Sequence, residues 1–230
     1  QEEDVEGCIS KGISEEVANH IFDEMTDFAK YAFNKSHAAA YAVVAYQTAY
    51  LKIYYPKEYM AALLTSVLSN ARKIAEYIQT CRQMEIEILP PDINLGEGEF
   101  SVSEGAIRYG LSAIKGLGTP VIQSIIGERE RGGPFRSLQD LVERTSGKEI
   151  NKRTIEGFIK AGALDSMPGT RKEKMAVYGQ VMDSVNQERK NAMSGQMSLY
   201  DLISEEEKAE YTAPIPVLGE FDKEELLAFE

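Results

Sequence analysis

The sequence predicts a mainly helical protein with a small β element near residues 85–112. Three observations support this fold class. Apolar residues recur at helical spacing before residue 85, the pattern then becomes strand-like and rich in glycine, and helical segments resume from Pro120. Hydrophobic residues make up 43% of the 230 residues, which is enough to build a core.

Four helices are predicted before residue 85. Ser14 is placed to cap the first, because apolar residues recur at helical spacing in the segment that follows it. The second begins near Ser36 and continues until Pro56 stops it, and two more cover about residues 57–69 and 71–84. Along the second helix, four tyrosines have a spacing that favours packing over base stacking: Tyr41, Tyr46, Tyr50 and Tyr54.

The sequence pattern in residues 85–112 predicts the β element. Residues 85–89 alternate like a strand that Pro90-Pro91 ends, and two short segments flank Glu104-Gly105 as the strands of a hairpin would. Helices are then predicted at about residues 120–130, 137–144 and 152–161.

The sequence from Thr170 onward predicts one long helix followed by an acidic segment. Thr170 and Glu173 form the capping-box pattern for a polar helix that ends near Asn191. The last forty residues are acidic and contain prolines, which predicts a linker or an incomplete next domain. Neither end of the sequence shows an obvious domain boundary, so we expect this chain to be a piece of a longer protein.

Charge is distributed unevenly along the chain, whose net charge is −12. Residues 1–34 carry −7, residues 35–104 carry −2, residues 105–190 carry +5 and residues 191–230 carry −8. A basic segment between acidic ones is a better guide to partners than the total. Nucleic acid therefore stays a candidate partner for the basic segment.

Composition also limits the class of protein. Cys8 and Cys81 lack metal-type spacing and are typical of thiols in a reducing compartment, and two histidines cannot supply a multi-histidine metal site. No apolar run approaches membrane-spanning length, and no signal peptide opens the sequence. We therefore expect a cytoplasmic protein with no membrane partner.

Four consecutive polar residues precede the second helix, namely Asn34, Lys35, Ser36 and His37. They bring an amide, an ammonium, a hydroxyl and an imidazole to a helix N-terminus, where the N–H groups and the dipole favour negative charge. This arrangement predicts a site for an anion, most simply a phosphate. In the alternative interpretation, Ser36 only caps the helix and Lys35 is solvated.

A glycine-rich turn opens the first helix of the basic segment at Lys115-Gly116-Leu117-Gly118-Thr119. The glycines let the backbone approach a ligand closely or adopt positive φ, and Thr119-Pro120 opens a helix whose first N–H groups are free. Such a turn can place backbone donors on a DNA phosphate without reading any base. The alternative is a tight turn needed only for packing.

A second helix pair follows, and its turn carries Lys148, Lys152 and Arg153. Residues 160–165 close this second unit. Two helix pairs in one basic segment predict a clamp on the backbone of a DNA duplex, with contacts that are independent of sequence and sensitive to salt.

A short motif lies between the long helix and the acidic segment, at Gln196-Met197-Ser198-Leu199-Tyr200. Its spaced apolar side chains are typical of a peptide that anchors in a groove on a partner. The alternative is a marginal amphipathic turn that packs on its own domain.

Together these segments resemble the bacterial DNA polymerase III α subunits, the replicative polymerases of the C family. Segments between Phe33 and Ala62 resemble the C-terminal part of the fingers domain, and residues 88–94 resemble the connector that follows it. Residues 109–118 resemble the start of the tandem helix-hairpin-helix region, and residues 151–153 with 162–165 match its second unit. Order and spacing agree throughout.

The resemblance implies three roles. Lys35 and His37 would contact the phosphates of an incoming deoxynucleoside triphosphate, and the helix-hairpin-helix pair would grip duplex primer–template DNA. Residues 196–200 would bind the sliding clamp, although Leu199-Tyr200 departs from the more usual Leu-Phe or Met-Phe ending. A tyrosine should still fill an apolar pocket if its hydroxyl reaches water or a partner. Other replicase subunits are further implied partners.

The same resemblance implies a division into three parts. Residues 1–95 would belong to the fingers, residues 96–190 would form the duplex-binding module, and residues 191–230 would hold the clamp motif and an acidic linker. A non-enzymatic helix-hairpin-helix DNA-binding protein or clamp adaptor is the rival interpretation. It explains residues 105–200 but leaves residues 33–62 without a role.

The resemblance also places the catalytic metal ions outside this chain. DNA synthesis needs carboxylates that hold two Mg²⁺ ions about 3.5–4 Å apart. In this family those carboxylates lie in the palm, upstream of the fingers segment, and no acidic cluster here matches that motif. We therefore expect DNA polymerase activity of the longer protein, and neither activity nor a cofactor in the isolated chain.

Overall fold

The computed structural model describes residues 7–31, 35–145, 150–193 and 216–229. They are mostly helical with one small sheet, which confirms the predicted fold class. The helices are α1 (Glu15–Tyr31), α2 (Lys35–Tyr54), α3 (Pro56–Thr65), α4 (Ala71–Gln83), α5 (Thr119–Gly132), α6 (Leu138–Thr145), α7 (Lys152–Lys160), α8 (Arg171–Met193) and α9 (Lys223–Leu227). The strands are β1 (Ile88–Leu89), β2 (Ser101–Ser103) and β3 (Ala106–Arg108), and a 3-10 turn covers Leu111–Ala113.

The chain divides between Tyr54 and Tyr55 into two compact units. The first contains α1 and α2. As predicted, the Ser14 hydroxyl caps α1, accepting a hydrogen bond from the Val17 N–H at 3.4 Å. No residue of α2 is buried. The ring of Tyr50 lies between those of Tyr46 and Tyr54 along the helix, with centroids 6.5 and 4.4 Å away. Within the described part of this unit, the tyrosines do not enter a core.

The second unit contains the sheet, in which β3 is the central strand. β2 and β3 form the predicted hairpin, with Ser103 paired to Ala106. Its turn residues Glu104 and Gly105 both have positive φ, as a two-residue hairpin turn of type I′ requires. Of the strand predicted at residues 85–89, only Ile88–Leu89 form a strand, β1. It pairs in parallel with β3, which the sequence did not predict.

Two hydrophobic clusters hold the second unit together. The first, here called the sheet core, packs α3 and α4 against the sheet and includes Met60, Leu64, Ile74, Cys81 and Ile107. The second, here called the hairpin core, unites α5 to α8 with the segment before them and includes Ile93, Leu111, Ile122, Leu141, Ile155 and Phe158. The functional division predicted near residue 95 stays a prediction.

Local capping chemistry sets the helix starts in this unit. Thr170 and Glu173 form the predicted capping box, because each backbone N–H donates to the other side chain, at 3.2 and 2.8 Å. Lys174 follows as a fully buried side chain whose ammonium donates to the carbonyls of Met167 and Gly169. Burial lowers the pKa of this lysine, and the two carbonyls replace the water that its ammonium loses.

Candidate nucleic-acid interface

The first hairpin joins the 3-10 turn to α5. Ile114 is buried and Leu117 is half-buried against the hairpin core, and the Leu117 N–H donates to the Ile114 carbonyl at 3.3 Å. Gly116 between them has a φ of +84°, which side chains rarely adopt. Gly118 is extended and caps α5 with its backbone alone. The apolar residues therefore fix the turn, while its glycines face outward.

The outer surface of this hairpin suits an anion. Lys115, Gly118 and Thr119 are exposed, and the first turn of α5 contains no acidic residue. Among the residues that the structure describes, Lys115 has no polar partner. An exposed ammonium thus lies in sequence just before a helix N-terminus, where a phosphate is favoured by both the N–H groups and the dipole.

The second hairpin joins α6 to α7. Its predicted contact Lys148 lies outside the described residues, whereas Lys152 and Arg153 are exposed in the first turn of α7. Asn151 caps this helix, since its side chain accepts a hydrogen bond from the Thr154 N–H at 3.1 Å. The structure therefore places two of the three predicted basic residues at a second exposed helix N-terminus.

Aligning the two hairpins at their cap residues reveals an internal repeat. Gly118 then corresponds to Asn151, Leu117 to Ile150 and Lys115 to Lys148. Inside the helices, Ile122 and Ile125 correspond to Ile155 and Phe158, and all four are buried in the hairpin core. Sequence reasoning missed the Asn151 cap, although an asparagine directly before a helix is a usable signal.

The two helix pairs form one packed body. A Cβ atom added at Gly157 in α7 would lie 3.4 Å from Cδ2 of Leu117. The first hairpin therefore packs directly on the second helix of the other pair. Lys115 therefore precedes a residue that packs on α7, and Lys152 and Arg153 begin that same helix.

Not all of the positive charge in this segment is available to a ligand. The Lys152 ammonium lies 2.7 Å from Oδ2 of Asp183 in α8, an ion pair in which both side chains are at least half exposed. Lys160 pairs with Glu156 in the same helix. The hydrogen bond from Lys160 is the main reason why the pKa of the Glu156 carboxyl is lowered, with smaller contributions from Tyr178 and Arg153.

Several arginines serve the fold. Arg144 donates to the carbonyls of Glu128 and Gly133 at 2.8 and 2.9 Å, which holds the connection between α5 and α6. Arg129 donates to the carbonyls of Ile93 and Gly96 and so ties the preceding segment to α5. The net charge of residues 105–190 therefore overstates the positive charge that the surface offers to an anionic ligand.

A second predicted site lies at the start of α2, in the first compact unit. Lys35, Ser36 and His37 are its first three residues, all are exposed, and the first turn contains no acidic residue. The His37 ring lies 4.4 Å from the ring of Tyr41 one turn later. Asn34 lies outside the described residues. The three described side chains share one helix N-terminus, as the sequence predicted.

The predicted clamp motif, Gln196-Met197-Ser198-Leu199-Tyr200, lies outside the described residues. Within residues 7–31, 35–145, 150–193 and 216–229, no helix is long and apolar enough to cross a membrane. The same ranges hold no group of three or more metal-binding side chains.

Comparison with known proteins identifies related sequences. Residues 85–174, which include both hairpins, match the family described as helix-hairpin-helix motif. The chain is 40% identical to the DNA polymerase III subunit alpha of Borreliella burgdorferi over 224 residues, which covers 97% of this chain and 20% of that protein.

Two further relatives agree. The DNA polymerase III subunit alpha of Escherichia coli K12 is 43% identical over 202 residues, covering 87% of this chain and 17% of that protein. The subunit of Thermus aquaticus is 43% identical over 201 residues, covering 87% of this chain and 16% of that protein. The chain thus spans a fifth or less of the length of these relatives.

Proposed function

We propose that this chain, which is homologous to a segment of bacterial DNA polymerase III α subunits, grips duplex DNA while the longer protein extends a primer on a template. One observation carries this proposal. Two packed hairpins each present exposed basic residues beside a helix N-terminus that lacks acidic residues in its first turn. Backbone N–H groups and lysines at such positions bind phosphates without reading sequence.

The proposal is tested by titrating the chain with a labelled DNA duplex over a range of salt concentrations. Lys115→Ala should weaken binding several-fold and lower the slope of log K against log salt by about one, because one phosphate contact is lost. Arg131→Ala is the matched control, since it removes an exposed charge from the far end of the same helix. Equal slopes for the wild type and Lys115→Ala would exclude Lys115 from the interface.

Gly118 offers a separate test of backbone contact. Its φ of −85° suits alanine, and an added Cβ atom would meet only Cδ of Pro120, at an ordinary 3.6 Å. Gly118→Ala should therefore fold normally and still bind DNA more weakly, because the methyl group keeps a phosphate from the N–H groups of α5. Unchanged affinity would favour the alternative that this turn serves only packing.

For the first turn of α2, we propose contact with the triphosphate of an incoming nucleotide. The support is the shared position of Lys35, Ser36 and His37 at an exposed helix N-terminus. In the longer polymerase, Lys35→Ala should raise KM for deoxynucleoside triphosphates. Lys52→Ala, at the opposite end of the same helix, is the control and should leave KM unchanged. Equal KM changes in both variants would contradict the assignment.

For residues 196–200 we propose binding to the sliding clamp. The support is the motif itself and its position after α8. Replacing Gln196, Leu199 and Tyr200 with alanine should abolish measurable affinity for the clamp, whereas intact affinity would identify the motif as a false match. We further propose that the isolated chain extends no primer, because the palm carboxylates belong elsewhere in the longer protein; detectable extension by the purified chain would refute this.

A further inference from the structure

The last described segment, residues 216–229, folds back on helices α5 to α8, which we call the helical module. It contacts the corner where α7 ends and α8 begins, and we call the segment the strap and residues 160–174 the corner. The Leu218 N–H donates to Oε1 of Glu173 at 3.0 Å, and the Thr170 hydroxyl donates to the Gly219 carbonyl at 2.6 Å. Two backbone groups of the strap are therefore satisfied by side chains of the corner.

Glu220 provides the central contact of the strap. Its carboxylate accepts hydrogen bonds from the N–H groups of Arg171 and Lys172, at 3.1 and 3.2 Å, in the first turn of α8. These N–H groups lack partners within the helix, and negative charge is favoured at that position. Burial alone would raise the pKa of Glu220, but hydrogen bonds from Phe221, Arg171 and Lys172 bring it below its ordinary value. The docked group is therefore a carboxylate.

Two phenylalanines complete the contact. The rings of Phe221 and Phe229 pack edge to face, with centroids 5.2 Å apart. The ammonium of Lys172 lies 5.6 Å from the Phe221 ring, and that of Lys160 lies 5.6 Å from the Phe229 ring. Each pair combines a cation of the corner with an aromatic ring of the strap, which is a favourable arrangement. The capping box of Asp222 and Glu225 folds the strap between its two phenylalanines as α9.

We propose that the corner is a docking site for an acidic peptide that carries phenylalanine, and that the strap occupies it reversibly in cis. Glu220 is exposed, and the two phenylalanines and the two lysines that they contact are only half-buried, which favours exchange between docked and released states. Docking also redirects the chain. Because α8 has 23 residues and is about 35 Å long, the docked strap returns the backbone from one end of that helix to the other.

Hydrogen exchange on the full chain tests docking in cis. In Glu220→Ala, the amides of Leu218 and Lys172 should exchange at least tenfold faster than in the wild type, while amides of the hairpin core stay protected. Glu224→Gln is the matched control, because it removes a charge from the first turn of α9 and should leave exchange unchanged. Unchanged protection in Glu220→Ala would overturn the assignment of Glu220.

A peptide added in trans tests the docking site itself. A labelled peptide of residues 216–229 should bind the Glu220→Ala chain, whose own strap is released. It should bind the wild-type chain at least tenfold more weakly, because the attached strap competes at a high effective concentration. A peptide with Glu220→Ala should not bind either chain. Absence of binding at millimolar peptide, or equal binding of the two peptides, would overturn the proposal.

Discussion

The two hairpins of the helical module build similar helix N-termini from different residues. The first places Gly116 at positive φ and caps α5 with the backbone of Gly118. The second caps α7 with the side chain of Asn151, which accepts the Thr154 N–H. The difference lies in the side chain at the helix start. The Asn151 side chain covers the N-terminus of α7, whereas no side chain covers that of α5, where the Val121 N–H donates to the Gly118 carbonyl.

The two hairpins also differ in whether their lysines are paired with an acidic side chain. Within the described ranges, Lys115 has no polar partner, whereas Lys152 is paired with Asp183 at 2.7 Å. The first hairpin thus leaves its helix N-terminus uncovered by a side chain and its lysine without an ion-pair partner, while in the second hairpin Asn151 covers the helix N-terminus and Asp183 pairs with the lysine. If both bind DNA as proposed, the first hairpin contributes more of the affinity and the second contributes more of the stability.

The largest expected effect is a difference in stability between alanine variants at the two glycines of the first hairpin. Gly116→Ala should lower the free energy of unfolding by about 1–2 kcal/mol, because a side chain at positive φ is strained. An added methyl there meets no atom within 4 Å, so the cost comes from the backbone alone. Gly118→Ala should change stability by less than about 0.5 kcal/mol. Urea unfolding of both variants measures the difference.

Gly127→Ala is the control for this pair, since Gly127 lies within α5 and an added methyl meets no atom within 4 Å. It should stabilise the protein by about 0.5–1 kcal/mol through helix propensity. A loss of stability in Gly118→Ala as large as that in Gly116→Ala would contradict the distinction between the two positions.

The next effect concerns the asparagine cap of the second hairpin. Asn151→Ala should lower the free energy of unfolding by about 1 kcal/mol, and Asn151→Gly by only a few tenths. The reciprocal change, Gly118→Asn, should stabilise α5 slightly and weaken duplex binding, because its side chain competes with phosphate for the N–H groups. Thermal unfolding and duplex titration of the three variants measure both effects. Tighter DNA binding by Gly118→Asn would contradict the expectation that a side-chain cap weakens phosphate binding at this helix N-terminus.

Short-range patterns in the sequence predicted much of this structure. Ser14 and the pair Thr170 and Glu173 act over three residues, and both caps form as predicted. The hairpin around Glu104-Gly105 is equally local. In each case, one turn of backbone and one or two side chains determine the outcome, so no knowledge of the tertiary structure is needed.

Long-range contacts could not be read in the same way. The partner of Lys152 is 31 residues away, and the contacts of Glu220 with α8 span 48 and 49 residues. The acidic composition of the last forty residues predicted a linker or an incomplete next domain, but it did not predict that Glu220 contacts the first turn of α8. Composition reports the charge of a segment but not the complementary group that the fold brings to it.

The smallest expected effect concerns the ion pair of the second hairpin. Asp183→Asn should release Lys152 and tighten duplex binding about two- to threefold, because an exposed ion pair contributes at most about 1 kcal/mol. Adding Lys152→Ala should abolish that gain, whereas Lys152→Ala alone should lower the salt slope by less than Lys115→Ala does. Glu130→Gln, which removes a charge near the end of α5, is the control for a change in overall charge. An equal gain in Glu130→Gln would show that net charge, and not the release of Lys152, determines affinity at this hairpin.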